Sequence, residues 1–477
     1  MHTKIAAGVL APLLCLGVAV AGAATAAPVI PNTVAGRAVT EMLAAFDSGN
    51  RETMKRFYRT HEPQRVKQLD DELAFRRMTG GFDLRKVEKS TPTEITVLVQ
   101  ERLSDRFARL TLHVKPGPPY RIASGSSLSA IDRPAEFALP HLSQAELVSQ
   151  AKAYAQRLTA ADQFAGTVLV ASGEAPLLQE AYGLADRASK TPNTLDTRFR
   201  IGSMNKMFTA TSIMQLVQAG KIGLDEPLGT YLTNYPNTTV SSQVTIRQLL
   251  THTGGTGDIF GPEFRKHRLR LRTLQDYVDL YGNRPLRFKP GTKWEYSNYG
   301  FILLGAVIEK VSGESYYDYV REHVYAPAGM TSTGSQPEDV TVPDRSVGYT
   351  SGPAGDWRAN TDTLPYRGTS AGGGYSTVRD LLAFARALQR HTLLDAKYTR
   401  MMTSAQTSTP FGDTYGFGFG QRTIDGSKCF GHSGGAPGMN GDLEICGNGY
   451  VIAVLSNLDP PAAERVSAFI ANRLPLP

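Results

Sequence analysis

Three short words stand in a fixed order along the chain: Ser203-Met-Asn-Lys206, Tyr296-Ser-Asn298 and His432-Ser-Gly434. A fold that uses them together must bring segments about two hundred residues apart in sequence to one cleft. Each word alone is weak, since Ser-x-x-Lys recurs at Ser149/Lys152, Tyr-x-Asn at Tyr235/Asn237 and Tyr281/Asn283, and His-x-Gly at His252/Gly254. Context separates them. Phe199-Arg-Ile201-Gly202 reads as a short strand and turn leading to Ser203. Beyond it Met204, Met207, Phe208, Ile213, Met214, Leu216 and Val217 recur at helical spacing until Gly220. Ser203 is therefore expected at a helix N-terminus, where free N–H groups favour negative charge on its oxygen. Lys206, three residues on, shares its face. Ser149 falls instead inside an amphipathic run and reads as helix surface.

With flanking Leu249-Leu-Thr-His-Thr-Gly-Gly255, Pro290-Gly291, Pro327-Ala-Gly-Met330 and Ala371-Gly-Gly-Gly374 in order, the chain resembles the serine β-lactamase and penicillin-binding-protein superfamily. The likeness is to the branch of class C β-lactamases, D-peptidases and related esterases, and it covers roughly residues 144–477. It implies an antiparallel sheet flanked by helices plus a helical subdomain, an α/β sandwich of the β-lactamase/DD-peptidase type. It also implies Ser203 as nucleophile, Lys206 as activator and Tyr296 as proton-passing base, with no cofactor or metal. Asn298 would orient Lys206 and bind the substrate's amide side. His432, Ser433, Gly434 and Gly435 would form a strand along the cleft, with the Gly435 and Ser203 N–H groups as oxyanion hole.

A serine hydroxyl needs a base in contact with it, and neither lysine nor tyrosine is a good base at neutral pH by itself. Burial near another cation favours a neutral Lys206, and nearby positive charge favours a Tyr296 phenoxide. Which of the two takes the serine proton first stays open at this level. His432 departs from the superfamily, where lysine is usual. A mostly uncharged imidazole weakens the case for a carboxylate-bearing β-lactam and leaves esters, amides and D-amino-acid peptides.

Other readings of the same residues fail. Gly431-His-Ser433-Gly-Gly435 matches a nucleophile elbow, but no histidine follows it to complete that triad. Gly368-Thr-Ser370-Ala-Gly372 matches too, yet no buried strand precedes it. Tyr415-Gly-Phe-Gly-Phe-Gly420 is expected as a strand with one packed face rather than a phosphate loop. Arg265-Lys-His-Arg-Leu-Arg-Leu-Arg272 reads as a solvated segment near the cleft, not a nucleic-acid site. The net charge of +7 over 477 residues is modest and gives no reason to invoke a polyanion.

Residues 1–27 read as a signal peptide: Lys4, an apolar Leu/Val/Ala core and a small-residue end at Ala24-Thr-Ala26-Ala27. An exported protein, periplasmic or secreted and without a stable membrane anchor, is the expectation. Cys429 and Cys446 would then be the remaining cysteines, almost opposite each other in a hairpin, either bridged or as two small core thiols. Residues 32–122 are expected as a small α+β domain whose Phe46-Asp-Ser-Gly-Asn50 is similar to the helix break of nuclear-transport-factor-2-like or SnoaL-like cones. Residues 123–143 read as linker and 144–477 as the hydrolase. The sequence thus points to a serine hydrolase acting on an ester or amide, a small molecule or a peptide such as one derived from cell wall. The alternatives are a class C-type β-lactamase and a penicillin-binding sensor that deacylates slowly. The partner of the N-terminal domain is not legible.

Overall fold

The computed structural model describes residues 28–352, 355–424 and 426–475; the signal-peptide expectation falls on residues 1–27, outside them. The catalytic part is built on one antiparallel sheet. Its strands run in the order Thr407–Ser408, Thr414–Tyr415, Gly420–Ile424, Ser427–Ala436, Met439–Cys446, Tyr450–Ser456, Gly166–Ser172 and Ala175–Tyr182. The first strands of this part therefore pair with its last, as Val168 opposite Val454 shows. This is the expected α/β sandwich.

Residues Met439–Cys446 and Tyr450–Ser456 are buried throughout, so they lack the polar alternation of a one-sided sheet. Leu443, Ile445, Val451, Ala453 and Leu455 face the core shared with the helix Asn205–Gln218 and the helical subdomain. Cys446, Ile452 and Val454 face a second core under the helices Gln144–Ala160 and Ala462–Ala471. Both faces are covered by helices, which explains the near-continuous apolar runs. Ser149 is exposed on the first of those covering helices, and Lys152 pairs with Glu180 at 2.5 Å.

Two expectations are corrected. Tyr415-Gly-Phe-Gly-Phe-Gly420 is not one strand: Tyr415 pairs with Gly420 across a tight hairpin that buries both Phe417 and Phe419. Gly418, at φ +74°, makes the turn, and a Cβ there would lie 2.5 Å from Ala210 Cβ and 2.8 Å from the Lys206 carbonyl oxygen. The alternating glycines thus reflect close approach to a helix, not the period of a strand. The segment 123–143 is not all linker, because Ser127–Ile131 pairs with Phe107–Lys115. That strand is serine-rich and exposed at the sheet's margin, so it carries no apolar alternation to betray it.

The N-terminal part packs the helices Val34–Asp47, Arg51–His61 and Leu69–Thr79 on this five-stranded sheet, which begins with Phe82–Ser90 and Glu94–Glu101. It is tied to the catalytic part by polar contacts. Arg473 is bidentate to Asp105 at 2.5 and 3.0 Å, Arg465 donates to the Met78 carbonyl at 2.5 Å, and Tyr154 donates to the Leu103 carbonyl at 2.6 Å.

Cys429 and Cys446 stand opposite each other in the ladder and are joined as a disulfide. The hairpin they close turns tightly at Pro437–Gly438, since Ala436 pairs with Met439. Closing a loop with a sequence separation of 17 is worth about 3 kcal/mol in the chain-entropy view. Replacing both cysteines by serine should therefore lower the thermal midpoint by several degrees, read by circular dichroism. An unchanged midpoint would show that the bridge contributes little.

Candidate active site

Ser203 lies in a tight turn, Gly202–Met204, that opens directly into the helix Asn205–Gln218. Gly202 adopts φ +49° to make that turn. Lys206 is completely buried one turn later. Its Nζ donates to Ser203 Oγ at 3.1 Å, to Asn298 Oδ1 at 2.7 Å and to the Ala371 carbonyl at 2.5 Å. It also sits 4.7 Å from the centre of the Tyr296 ring. Burial pulls its pKa down to about 7, while the Asp258 carboxylate resists that fall. An amine with that pKa is free base in about half of the molecules at neutral pH and can accept the serine proton.

Tyr296 differs from expectation. Burial pushes its phenol well above the usual value, the hydrogen bond with Ser203 only partly offsets this, and Asp258 adds to the rise. The cation expected to support a phenoxide is itself destabilised by the same burial. The resting state therefore pairs a neutral phenol with an amine of lowered pKa.

Asn298 opens the helix Asn298–Ser312, whose N-cap is Ser297. Ser297 Oγ accepts from Gly300 N at 2.9 Å and donates to the Gly257 carbonyl at 2.5 Å, fixing the helix start against the loop 251–258. Asn298 Nδ2 donates to both oxygens of Asp258, at 2.9 and 3.2 Å. The amide is thereby oriented with its carbonyl toward Lys206. Asp258 was missed in the sequence; the only signal was a carboxylate three residues beyond Gly255, at the end of a glycine-rich turn.

The third word lies on the strand Ser427–Ala436. Gly434 and Gly435 press against the Gly202–Ser203 backbone. A Cβ on Gly434 would stand 1.9 Å from the Ile201 carbonyl oxygen, and one on Gly202 would stand 2.9 Å from Gly435 N. This close approach leaves no room for a side chain where the strand meets the turn that carries Ser203. Ser433, by strand alternation, is turned the other way: its hydroxyl hydrogen-bonds Glu464 of the C-terminal helix. It is the predicted site residue whose side chain the structure does not bring to Ser203.

His432 is half-buried and committed on both ring nitrogens. The backbone N–H of Ser297 donates to His252 Nδ1 at 3.1 Å, so His252 carries its proton on Nε2. That Nε2–H points to the Tyr415 hydroxyl at 3.2 Å, which donates in turn to His432 Nε2 at 3.0 Å. His432 Nδ1–H then donates to the Ser433 carbonyl at 2.5 Å. Burial first, and Lys206 second, lower the His432 pKa to about 4. Burial, Lys206 and His432 also push His252 well below its ordinary value. The imidazole at the lysine position is neutral and spoken for. Neither His252 nor Tyr415 was assigned a role from sequence.

The sequence model of the beta-lactamase family, described as "Beta-lactamase", matches residues 147–475. The chain belongs to the beta-lactamase family. It is 32% identical over 298 residues to penicillin-binding protein 4* of Bacillus subtilis (strain 168), a match taking in 58% of this chain and 64% of that relative. It is 33% identical over 183 residues to esterase EstB of Burkholderia gladioli, across 35% of this chain and 46% of that one. The chain thus spans under two thirds of either relative. Among solved structures, the D-amino acid amidase of Ochrobactrum anthropi SV3 complexed with L-phenylalanine amide superposes with a TM-score of 0.59 at 26% identity. That superposition covers 69% of this chain and 97% of the amidase. Ser203, Lys206, Tyr296 and Asn298 all lie within the residues matched by the family.

With Lys206 near 7, kcat/KM on an activated ester should rise with pH and reach half its plateau close to pH 7. Asp258→Asn removes the anion that holds the lysine pKa up, so the rise should move to lower pH while the plateau falls about tenfold as Asn298 loses its anchor. A pH–rate profile that moves upward would contradict this electrostatic reading. Gly434→Ala, which thrusts a methyl at Ile201, should cost at least about a hundredfold in kcat through displacement of an oxyanion donor.

Proposed function

We propose that the protein is an exported serine hydrolase that works through a covalent acyl-enzyme on an ester or amide, with D-amino-acid peptides and small esters as its substrate class. One observation carries the reading: a completely buried lysine amine, depressed to about 7, lies 3.1 Å from Ser203 Oγ. Free-base Lys206 takes the Ser203 proton as Oγ bonds to the substrate carbonyl carbon. The resulting oxyanion lies between the Ser203 and Gly435 amides. The Tyr296 phenol gives its proton to the departing alcohol or amine and recovers one through Lys206. Water then attacks the acyl-enzyme, its proton passing back through the same pair, and the acid leaves as Ser203 Oγ is reprotonated.

The similarity to an esterase and to a D-amino acid amidase supports this substrate class. So does His432, because a neutral imidazole bonded on both nitrogens offers no cation to a β-lactam carboxylate. The bridged Cys429–Cys446 pair supports an oxidising compartment and hence export.

Time-resolved intact-mass measurement with a penicillin, a chromogenic ester and a D-alanyl dipeptide tests the proposal. The ester or the dipeptide should give a transient adduct on Ser203 and sustained turnover, both lost in Ser203→Ala. Prompt hydrolysis of the penicillin would make the protein a β-lactamase instead. Long-lived adducts with all three would make it a slowly deacylating sensor.

A further inference from the structure

Ser203 and Asn298 open onto a cavity of about 500 Å³ that Gly435, Ala436 and Pro437 also line. Its wall is apolar where Ile259, Phe264, Leu364 and Met439 line it, and Phe260 forms an exposed lip with its ring 5.0 Å from that of Phe264. Two guanidinium groups join this wall, Arg265 and Arg268, both from the basic run noted in the sequence. Tyr296 and His432 are not among the lining residues. Since Tyr296 serves the departing group, the cavity holds the part of the substrate that stays on the serine.

The charges around it are unbalanced. Asp362, the one carboxylate of the lining, is paired with Arg358 at 3.0 Å. Glu263 on the short arginine-bearing helix lies 3.5 Å from His267, which offsets its charge only when protonated. Arg268 spends one N–H on the Leu364 carbonyl at 2.6 Å, and the rest of its fork has no partner among the described residues. The Arg265 side chain is exposed, and its guanidinium has neither an ion pair nor a hydrogen bond among the described residues. In the same wall the Tyr277 hydroxyl is buried without a hydrogen-bond partner, a further donor short of an acceptor. An apolar channel that starts at the nucleophile and carries unpaired guanidinium groups is complementary to an aliphatic or aryl chain bearing a carboxylate.

We infer that the enzyme selects substrates whose acyl portion carries an anionic group, received by Arg265 and Arg268. Anion recognition has thus moved from the strand position occupied by His432 to the cavity wall that carries Arg265 and Arg268. The substrate class narrows to esters or amides of dicarboxylic acids or of acidic amino acids, cleaved at the carbonyl remote from the free carboxylate. This inference rests on the hydrolase reading.

The test compares para-nitrophenyl monoesters of glutaric, adipic and suberic acids with para-nitrophenyl esters of neutral acids of matched length. For the wild-type full chain, kcat/KM should favour at least one monoester by about fivefold, and added salt should compress that preference. Arg265→Gln should bring the ratio of anionic to neutral substrate toward unity. Arg265→Glu should invert it, and Arg265→Lys should largely restore it. Because each result is a ratio within one variant, partial loss of folded protein does not move it. A wild-type ratio at or below unity for all three lengths would overturn the inference, as would a ratio indifferent to Arg265→Glu. Turnover of the neutral esters with a Ser203 adduct but no anionic preference would sink this inference alone. Absence of any adduct would sink the hydrolase reading beneath it.

Discussion

An ammonium group withdrawn from water, with only neutral oxygens in direct contact, is under constant pressure to give up its proton. Lys206 is in that condition, and the rest of the site is arranged around it. Ser203, the Asn298 amide and the Ala371 carbonyl all accept from its nitrogen, and none of them supplies a full negative charge. The nearest compensating anion is Asp258, which reaches the lysine only through Asn298. A carboxylate in direct contact would lock the amine as a cation and end its use as a base. One amide removed, it moderates the pKa and fixes the amide's orientation. The neutral histidines belong to the same logic. A second fixed cation beside Lys206 would depress it further, and burial keeps both rings uncharged while the bonding from His252 through Tyr415 to His432 sets their tautomers.

Backbone packing sets the other half of the geometry. The strand carrying Gly434 meets the nucleophile turn where neither side has room for a β-carbon, and Gly418 presses the hairpin after Tyr415 onto the same helix. A rigid sheet covered on both faces holds the first contact, and the hairpin holds the second while presenting Tyr415 to both imidazoles.

Much of this was legible because the motif words combine residue chemistry with local helix and strand signals. Ser203, Lys206, Tyr296, Asn298 and the Gly434-Gly435 pair could be named from them, as could the long apolar strands. What escaped was determined by contacts between distant segments. Asp258 is an ordinary acidic residue in a turn until the fold sets it beside Asn298. The Gly–Phe alternation at 415–420 satisfies a strand pattern and a packed hairpin equally well, and only the neighbouring helix decides. The protonation of Tyr296 depends first on how deeply the phenol itself is buried, which spacing cannot report. Ser433 shows the reverse failure: a motif word names every residue in it, whereas a pleated strand offers only alternate ones to a given side.

The polar seam between the N-terminal part and the C-terminal helix bears on how this molecule can be divided. Family similarity begins at residue 147, which invites excision of everything before it. Yet Arg473, almost fully buried, is neutralised by Asp105, and Arg465, also buried, is capped by a carbonyl at Met78. Trimming to the homologous segment would strand two guanidinium groups on a freshly bared face, one on and one just beyond the helix Ala462–Ala471, whose first turn is gripped by Asn440, the residue that also holds the Gly434 carbonyl. Residues 34–131 are, in that mechanical sense, a splint for the back of the strand that carries Gly434.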